Sequence, residues 1–559
     1  MMLRKIMPIL IALLSVVVIG GHAQDESQPV GIDAVCGESA LTITANDTLP
    51  EDETTQALDQ LLRQFVTLAP DDAPPLSIFG NKPPAPGAVI FVDTPEGQYY
   101  RSIGVSNIDT CAPIDPTMPF EIGSNTKMFT AAVIWQLHEE GLLSTSDLVS
   151  DYLPDEIALW DGAENITIDM LLGHTSGLPD YLNTDNLAAI GGRYSSGDFS
   201  ELGTAFTPEE LVAQAANNPM VFAPGAEGQW AYSNTGYIML GQIIEQVTGQ
   251  SYIDAVTERV IDRLGLKNTV LVADVLPADL GVAGQYIASP FTIETSDWNF
   301  TQAWSAGNAV TTPEDMATFL RAYYTGALFT EPATLDAMMT RAAIGNSRES
   351  DDFYYMHGGY YKAGFLGHGG QTLGTESDPG YNPAQDVVIV TWANSSESFT
   401  GYGVYHIGHA LGLTPSWDEV FQALPFMQVA DTPTITVLAV QDIIGMTVNS
   451  TGVYLASADE TKLPIEGSTY SLTFNDDGQM TLVADCNTVM ASYVAGEDGA
   501  FSVELGASTL VACPEGSIAD DVLGVLAAAA RINILDTGSE IVVTITADDE
   551  SFIAYNAPK

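Results

Sequence analysis

From Ala88 to Asp93 and from Gln98 to Val105 the chain carries apolar and β-branched runs on either side of Thr94-Pro95-Glu96-Gly97, which predicts a hairpin. Ahead of it, Glu53 to Leu68 reads as a helix, and a Pro-rich stretch runs through Pro86. Behind it, from about Ser124 to about Tyr324, helical spacing prevails, with helices expected near 124–140, 208–216, 235–248 and 313–324. Strand character returns near Phe365, Asp386 to Trp392 is a compact run suited to a central strand, and Gly401 to Leu413 looks like a closing helix. Strands at both ends with helices between them imply one sheet built from distant segments, an α+β architecture that closes only when both ends are present.

After this unit, expected over 24–414, the period is lost and Pro415, Pro425 and Pro433 mark a linker over 415–434. The remainder, 435–559, changes to short alternating stretches such as Tyr470 to Phe474, Met480 to Ala484 and Ile541 to Thr546, with one Ala-rich helix near Asp521 to Ile532. That pattern predicts a separate small β-rich domain. At the other end, a basic start through Lys5, an apolar stretch from Ile6 to Gly21 and small residues before Gln24 read as a secretory signal, residues 1–23, cut after Ala23. The stretch is shorter than the roughly 20 residues that span a bilayer.

Hydrophobic residues make up 46% of the chain and charged residues 16%, enough for buried cores. The 17 basic against 72 acidic residues leave a net charge of −55, which repels nucleic acid and anionic membranes. Neither is expected as a partner, and the excess charge reads as a solvated surface. Cys36, Cys111, Cys486 and Cys513 suggest one structural disulfide per half, Cys36 with Cys111 and Cys486 with Cys513. No CxxC, H-x-H or H-E-x-x-H spacing supports a metal site, and no G-x-S-x-G elbow supports an α/β-hydrolase. No cofactor is expected.

Of the seven lysines, only Lys127 has a serine three residues earlier, in Ser124-Asn125-Thr126-Lys127. Three residues are nearly one helical turn, so Ser124 and Lys127 share a face. The positive end of a helix and burial both disfavour a protonated lysine, and a neutral lysine can take the serine proton. An N-cap serine with a solvated lysine one turn on is the rival reading of these residues alone.

Further along stand Leu171-Leu172-Gly173-His174-Thr175-Ser176-Gly177-Leu178, then Pro224-Gly225 leading to Tyr232-Ser233-Asn234, and finally Gly367-His368-Gly369-Gly370 before the strand at Val387. With Ser124-x-x-Lys127, this ordered set resembles the three boxes of the serine β-lactamase and penicillin-binding protein superfamily, S-x-x-K, Y-x-N and H-x-G in place of the commoner K-T-G. It resembles most the branch holding class C β-lactamases, D-alanyl-D-alanine carboxypeptidases, D-aminopeptidases and esterases. The resemblance implies a sheet flanked by helices plus a helical subdomain. It implies Ser124 as nucleophile, Lys127 as its activating partner, and Tyr232 as base and then acid, its phenolate stabilised by nearby positive charge. Asn234 would hold Lys127 and the substrate amide, and His368 would hydrogen-bond Tyr232 or the substrate. The backbone N–H groups of Ser124 and Gln371 would form an oxyanion hole, with Gly369 and Gly370 letting the strand come close.

Two sets of residues compete with these boxes. Tyr181-Leu182-Asn183 also fits Y-x-N, and His357-Gly358-Gly359 mimics the third box, but neither has the context of Tyr232 or His368. His174 reads as structural. Histidine in place of a third-box lysine offers only a partial cation, so esters or small D-amino-acid peptides and amides suit the site at least as well as β-lactams. Residues such as Tyr470 to Phe474, Leu482 to Asn487 and Ser508 to Pro514 resemble a META domain. The resemblance does not settle what that domain does; a non-catalytic stability or surface-interaction module, with a cell-envelope partner, is expected. The leading expectation is an extracytoplasmic acyl-enzyme hydrolase acting on a small-molecule or peptide substrate. The alternative is a binding module, either a penicillin-acylated sensor or an inactive relative that grips a cell-wall peptide.

Overall fold

The computed structural model describes residues 31–67, 84–183, 202–287, 293–344, 349–396, 403–416 and 419–420, then most of 436–558. The expected signal and most of the expected linker lie outside the described residues. The chain divides into two compact units, Gln24–Gln428 and one that holds Val429–Lys559.

In the first unit, the sheet runs Thr44–Ala45, Gly97–Asn107, Gly87–Thr94, Val387–Ala393, Glu376–Asn382, Phe365–Gly367, Tyr360–Lys362, Phe353–Tyr355, all antiparallel. The early hairpin meets the late strand in register, Val92 opposite Ile389 and Ile90 opposite Thr391, so the two ends of the unit join at the centre of the sheet. Alternation decides what each face touches. Val89, Phe91, Val388, Val390 and Trp392 enter the larger core on the side of the helices, where Trp392 stacks on Phe120 at 5.1 Å. Ala88, Ile90, Val92, Ile389 and Ala393 enter a second core with Leu58 and Leu62 of the Glu53–Gln64 helix and Val404 and Ile407 of the Gly403–Ala410 helix. Asp52 starts the first of these helices, its side chain accepting from the Thr55 N–H at 2.9 Å.

The helix Thr126–Glu139 is buried without a break from Thr126 to Leu137, as expected of a segment apolar all round its circumference. Helices Pro208–Ala215, Asn234–Thr248 and Pro313–Tyr324 stand where the spacing predicts them. A disulfide joins Cys36 to Cys111, with Cα atoms 5.6 Å apart.

The second unit is a largely antiparallel sheet ordered Thr436–Val437, Ala529–Asp536, Glu540–Ala547, Phe552–Pro558, Thr447–Leu455, Tyr470–Phe474, Gln479–Ala484, Asn487–Ala495, Phe501–Ser508. Its own core gathers Leu472, Phe474, Leu482, Val543 and Ile545 under the helix Ala519–Ala527. That helix is shorter than expected. Ile532 and Ile534 alternate into the core and pair with Ile545 and Val543, so strand period overrides the helix propensity of the alanines before them. Cys486 and Cys513 are bonded.

Candidate active site

Ser124 does not begin an α-helix directly. It sits in a single 3₁₀ turn, Gly123–Asn125, before the helix that opens at Thr126. Gly123 takes a left-handed φ of 48°, and a Cβ there would come within 2.6 Å of the Gln371 carbonyl oxygen. Gly370 is tighter still, since a Cβ would lie 1.9 Å from the Ile122 carbonyl oxygen. The short strand Gly370–Gln371 therefore crosses directly over the serine turn, which only paired glycines permit. Asn125 fastens the turn to the sheet by donating from Nδ2 to the Ile122 carbonyl at 2.8 Å and to Ser377 Oγ at 3.0 Å.

Lys127 is fully buried. Its Nζ lies 3.0 Å from Ser124 Oγ, 2.7 Å from Asn234 Oδ1 and 2.8 Å from the Ala306 carbonyl oxygen. Burial pushes the amine down to about 7, opposed by the nearby carboxylate of Asp180. The same Nζ lies 4.9 Å from the centre of the Tyr232 ring.

Tyr232 lies in an extended segment that ends at Ser233, the N-cap of the Asn234–Thr248 helix. The His174 turn grips that segment at both flanks, because Ala231 N–H donates to the His174 carbonyl at 3.1 Å and Ser233 N–H to His174 Nδ1 at 3.2 Å. The His174 and Tyr232 rings sit 4.4 Å apart. Burial holds His174 well below the usual imidazole value, so it is a neutral positioning group, in keeping with its structural reading. Burial also pushes the Tyr232 phenol well above its usual range, opposed by the Ser124 side chain. Among the described residues its buried hydroxyl makes no full hydrogen bond. Burial is the largest influence on this phenol, and the nearby Asp180 carboxylate adds to it, so the environment opposes the phenolate expected from a nearby cation.

His368 is buried at the third box. Its Nε2 is 3.3 Å from the Tyr355 hydroxyl, and the ring centres of Tyr232 and His368 are 6.0 Å apart. Of the two partners expected for His368, Tyr232 or the substrate, the protein partner is Tyr355 rather than Tyr232. Burial, reinforced by Lys127, depresses His368 well below the usual imidazole value. It is neutral, a stronger departure from a third-box lysine than partial charge. Beside it, Lys362 is spent on a buried ion pair with Asp378. Gly369 and Gly370 carry the chain past Ser124, and the Gln371 side chain donates to the Ser396 carbonyl.

The competing residues are occupied elsewhere. The Tyr181 hydroxyl donates to the Gln302 carbonyl at 2.7 Å, and His357 Nε2 lies 3.3 Å from Asp169 Oδ1. Motif reading missed Asp180, the Ala306 carbonyl and Tyr355. Asp180 stands two residues after His174-Thr175-Ser176-Gly177-Leu178 and could have been suspected as an apolar-flanked acid, whereas a backbone carbonyl leaves no mark in a sequence.

A family model described as Beta-lactamase matches residues 58–409, the span that holds every one of these groups. The chain belongs to the beta-lactamase family. A model described as META domain matches 451–556. Among curated relatives, Protein flp of Staphylococcus aureus (strain MW2) is 32% identical over 187 residues, 33% of this chain and 34% of that one. The matched part spans little more than a third of the length of such relatives, 34% and 39% for the first two. Among solved structures, a D-stereospecific amidohydrolase from Streptomyces sp. superposes with a TM-score of 0.51 at 27% identity, covering 58% of this chain and 94% of that one. An octameric penicillin-binding protein homologue from Pyrococcus abyssi shares the fold at 21% identity and a TM-score of 0.50, covering 84% of this chain and 96% of that one. Among the described residues, no helix is long and apolar enough to cross a membrane, and no group of three or more His, Cys, Asp or Glu residues could hold a metal.

Proposed function

We propose that this family member is a serine hydrolase that works through a Ser124 acyl-enzyme on ester, amide or D-amino-acid peptide bonds. The observation that carries the reading is Lys127 Nζ, buried, pushed down to about 7 and 3.0 Å from Ser124 Oγ. A neutral amine there accepts the hydroxyl proton as Oγ attacks the carbonyl carbon. The N–H groups of Ser124 and Gln371 receive the oxyanion, which is why the strand must cross so closely. Tyr232 gives its phenolic proton to the leaving group and is restored by the proton held on Lys127; water then attacks the acyl carbonyl, its proton passes through the neutral Lys127 to Ser124 Oγ, and the acid departs. Asn234 holds Lys127 and offers its amide to the substrate.

Among the described residues, neutral His368 and the paired Lys362 leave the third box without a free cation. That favours neutral esters and amides over substrates anchored by a carboxylate, and the likeness to a D-stereospecific amidohydrolase supports the same class. Two disulfides, which persist in oxidising compartments, support a place outside the cytoplasm.

The test exposes the full chain and Ser124→Ala separately to a fluorophosphonate and to a penicillin, reads mass, and follows turnover of a p-nitrophenyl ester and a D-amino-acid anilide. One adduct confined to Ser124 is expected, with turnover in the variant reduced by about 10⁴-fold or more. A penicillin adduct that persists while neither substrate turns over would favour the sensor reading. Undiminished hydrolysis by Ser124→Ala would overturn the mechanism.

A further inference from the structure

A neutral lysine amine has two N–H donors and one lone pair, and its three neighbours decide where each points. The Ala306 carbonyl, at 2.8 Å, can only accept. Asn234 Oδ1, at 2.7 Å, can only accept as well. These two take the N–H bonds, and the lone pair is left for the Ser124 hydroxyl at 3.0 Å.

This outcome depends on which end of the Asn234 amide faces the lysine. Turned end for end, Asn234 would present Nδ2–H, a donor, and the lone pair would be captured there instead of at the serine. Lys127 by itself does not forbid that arrangement, because an amine can accept as well as donate. Asp180 opposes it as a carboxylate, the Leu182 N–H and the Asn234 amide working against the burial that raises its own carboxyl. Its Oδ2 accepts from Asn234 Nδ2 at 2.9 Å, its Oδ1 accepts from the Leu182 N–H at 3.0 Å, and the residue is 8% exposed. A reversed amide would set its oxygen against a buried carboxylate, removing one hydrogen bond and opposing two acceptors.

We propose that Asp180 is a positioning residue: by accepting the Asn234 side-chain N–H it keeps the Asn234 oxygen on Lys127, and so keeps the lysine lone pair aimed at Ser124. The proposal rests on the Ser124 and Lys127 reading above. It extends that reading by a carboxylate–amide–amine chain, Asp180 to Asn234 to Lys127.

Asp180 has a second, separable effect. The groups that face Lys127 are Asn234 and Tyr237 from one helix, Tyr232 from the extended segment, His174 and Asp180 from the turn, His368 from the third box and the Ala306 carbonyl. His174 and His368 are held neutral, so Asp180 supplies the negative charge that opposes burial at the lysine. Removing that charge lowers the lysine further. A residue that acted on Lys127 by charge alone would move that pH and leave the plateau rate unchanged.

The experiment compares the full chain with Asp180→Asn, reading the rate of fluorophosphonate labelling of Ser124 and kcat/KM for a p-nitrophenyl ester across pH. The expected result is a fall in plateau rate of about 10²-fold, carried by kcat more than KM, together with an acid limb moved to lower pH. An unchanged plateau rate, or a lower rate with the limb unmoved, overturns the proposal. Neutron diffraction on the wild-type protein tests the same point without requiring the variant to fold, since finding the deuterated amide nitrogen of Asn234 beside Lys127 would also overturn it. The arms stay distinct: if Ser124→Ala still labels, the underlying reading fails, whereas loss of labelling there with an indifferent Asp180→Asn removes only the role of Asp180.

Discussion

At Lys127 Nζ, burial works against the ammonium form and the Asp180 carboxylate works for it, and burial is the larger effect, leaving the amine at about 7. The ammonium form has three donors and no lone pair, so it cannot take the serine proton. Acylation of Ser124 should therefore rise about tenfold per pH unit below 7 and level off above it, as read from the fluorophosphonate labelling rate. No second inflection near the ordinary imidazole value of 6.5 is expected, because burial keeps His368 neutral well below it. An acid limb placed instead near 4, or its absence between pH 5 and 9, would assign the proton acceptor to another group. The Ser-x-x-Lys spacing shows in the sequence that serine and lysine share a face, but their proton chemistry depends on the carbonyl of Ala306 and the carboxylate of Asp180. Both reach Lys127 from segments more than 50 residues away, and while the place of Asp180 just after the His174 turn hints at it, nothing local announces the Ala306 carbonyl.

The element that matters most for reactivity is the short strand Gly370–Gln371 where it passes the turn Gly123–Asn125. Two backbones meet there at a separation that excludes side chains, so the substitution Gly370→Ala pushes a methyl group into the Ile122 carbonyl and Asn125 Nδ2. Neither neighbour can yield, one being backbone and the other fixed by hydrogen bonds to Ile122 and Ser377. The expected outcome is a loss of about 10²-fold or more in Ser124 labelling, as the Gln371 N–H is moved off the oxyanion position. Unchanged labelling would place the oxyanion site elsewhere. The hairpin, the central strand and the four long helices were legible because their periods are long and their ends are marked by Pro, Gly or a capping residue. The turn at Ser124 was not, since a single left-handed glycine is needed to set it and glycine tolerates every conformation.

Across the whole molecule, each unit buries its own apolar residues, the first around two faces of one sheet and the second under the Ala519–Ala527 helix. All groups placed near Ser124 lie within Gln24–Gln428. A chain ending at Gln428 is expected to fold and to label at Ser124 at a rate within about twofold of the full chain, with thermal unfolding as the check on folding. A dead but folded fragment would show that Val429–Lys559 contributes to the site. The net charge of −55 belongs to this scale too, and it bears on solubility and partners more than on the fold.

The sequence by itself determined the α+β class, the joining of early and late strands and the cysteine pairs, and it pointed to Lys127 and Asn234 beside Ser124 but not to Asp180, Ala306 or Tyr355, because alternation, helical spacing and motif order are properties of neighbouring positions. It misplaced the end of the Ala-rich helix, where pairing with a distant strand overrides local propensity. Tertiary structure alone decided the charge states: a phenol kept neutral at Tyr232, an imidazole kept neutral at His368 beside Tyr355, and an amine whose lone pair is directed by Asn234 and Asp180. Desolvation and hydrogen-bond direction depend on everything packed around a group, and that is fixed only when remote segments meet.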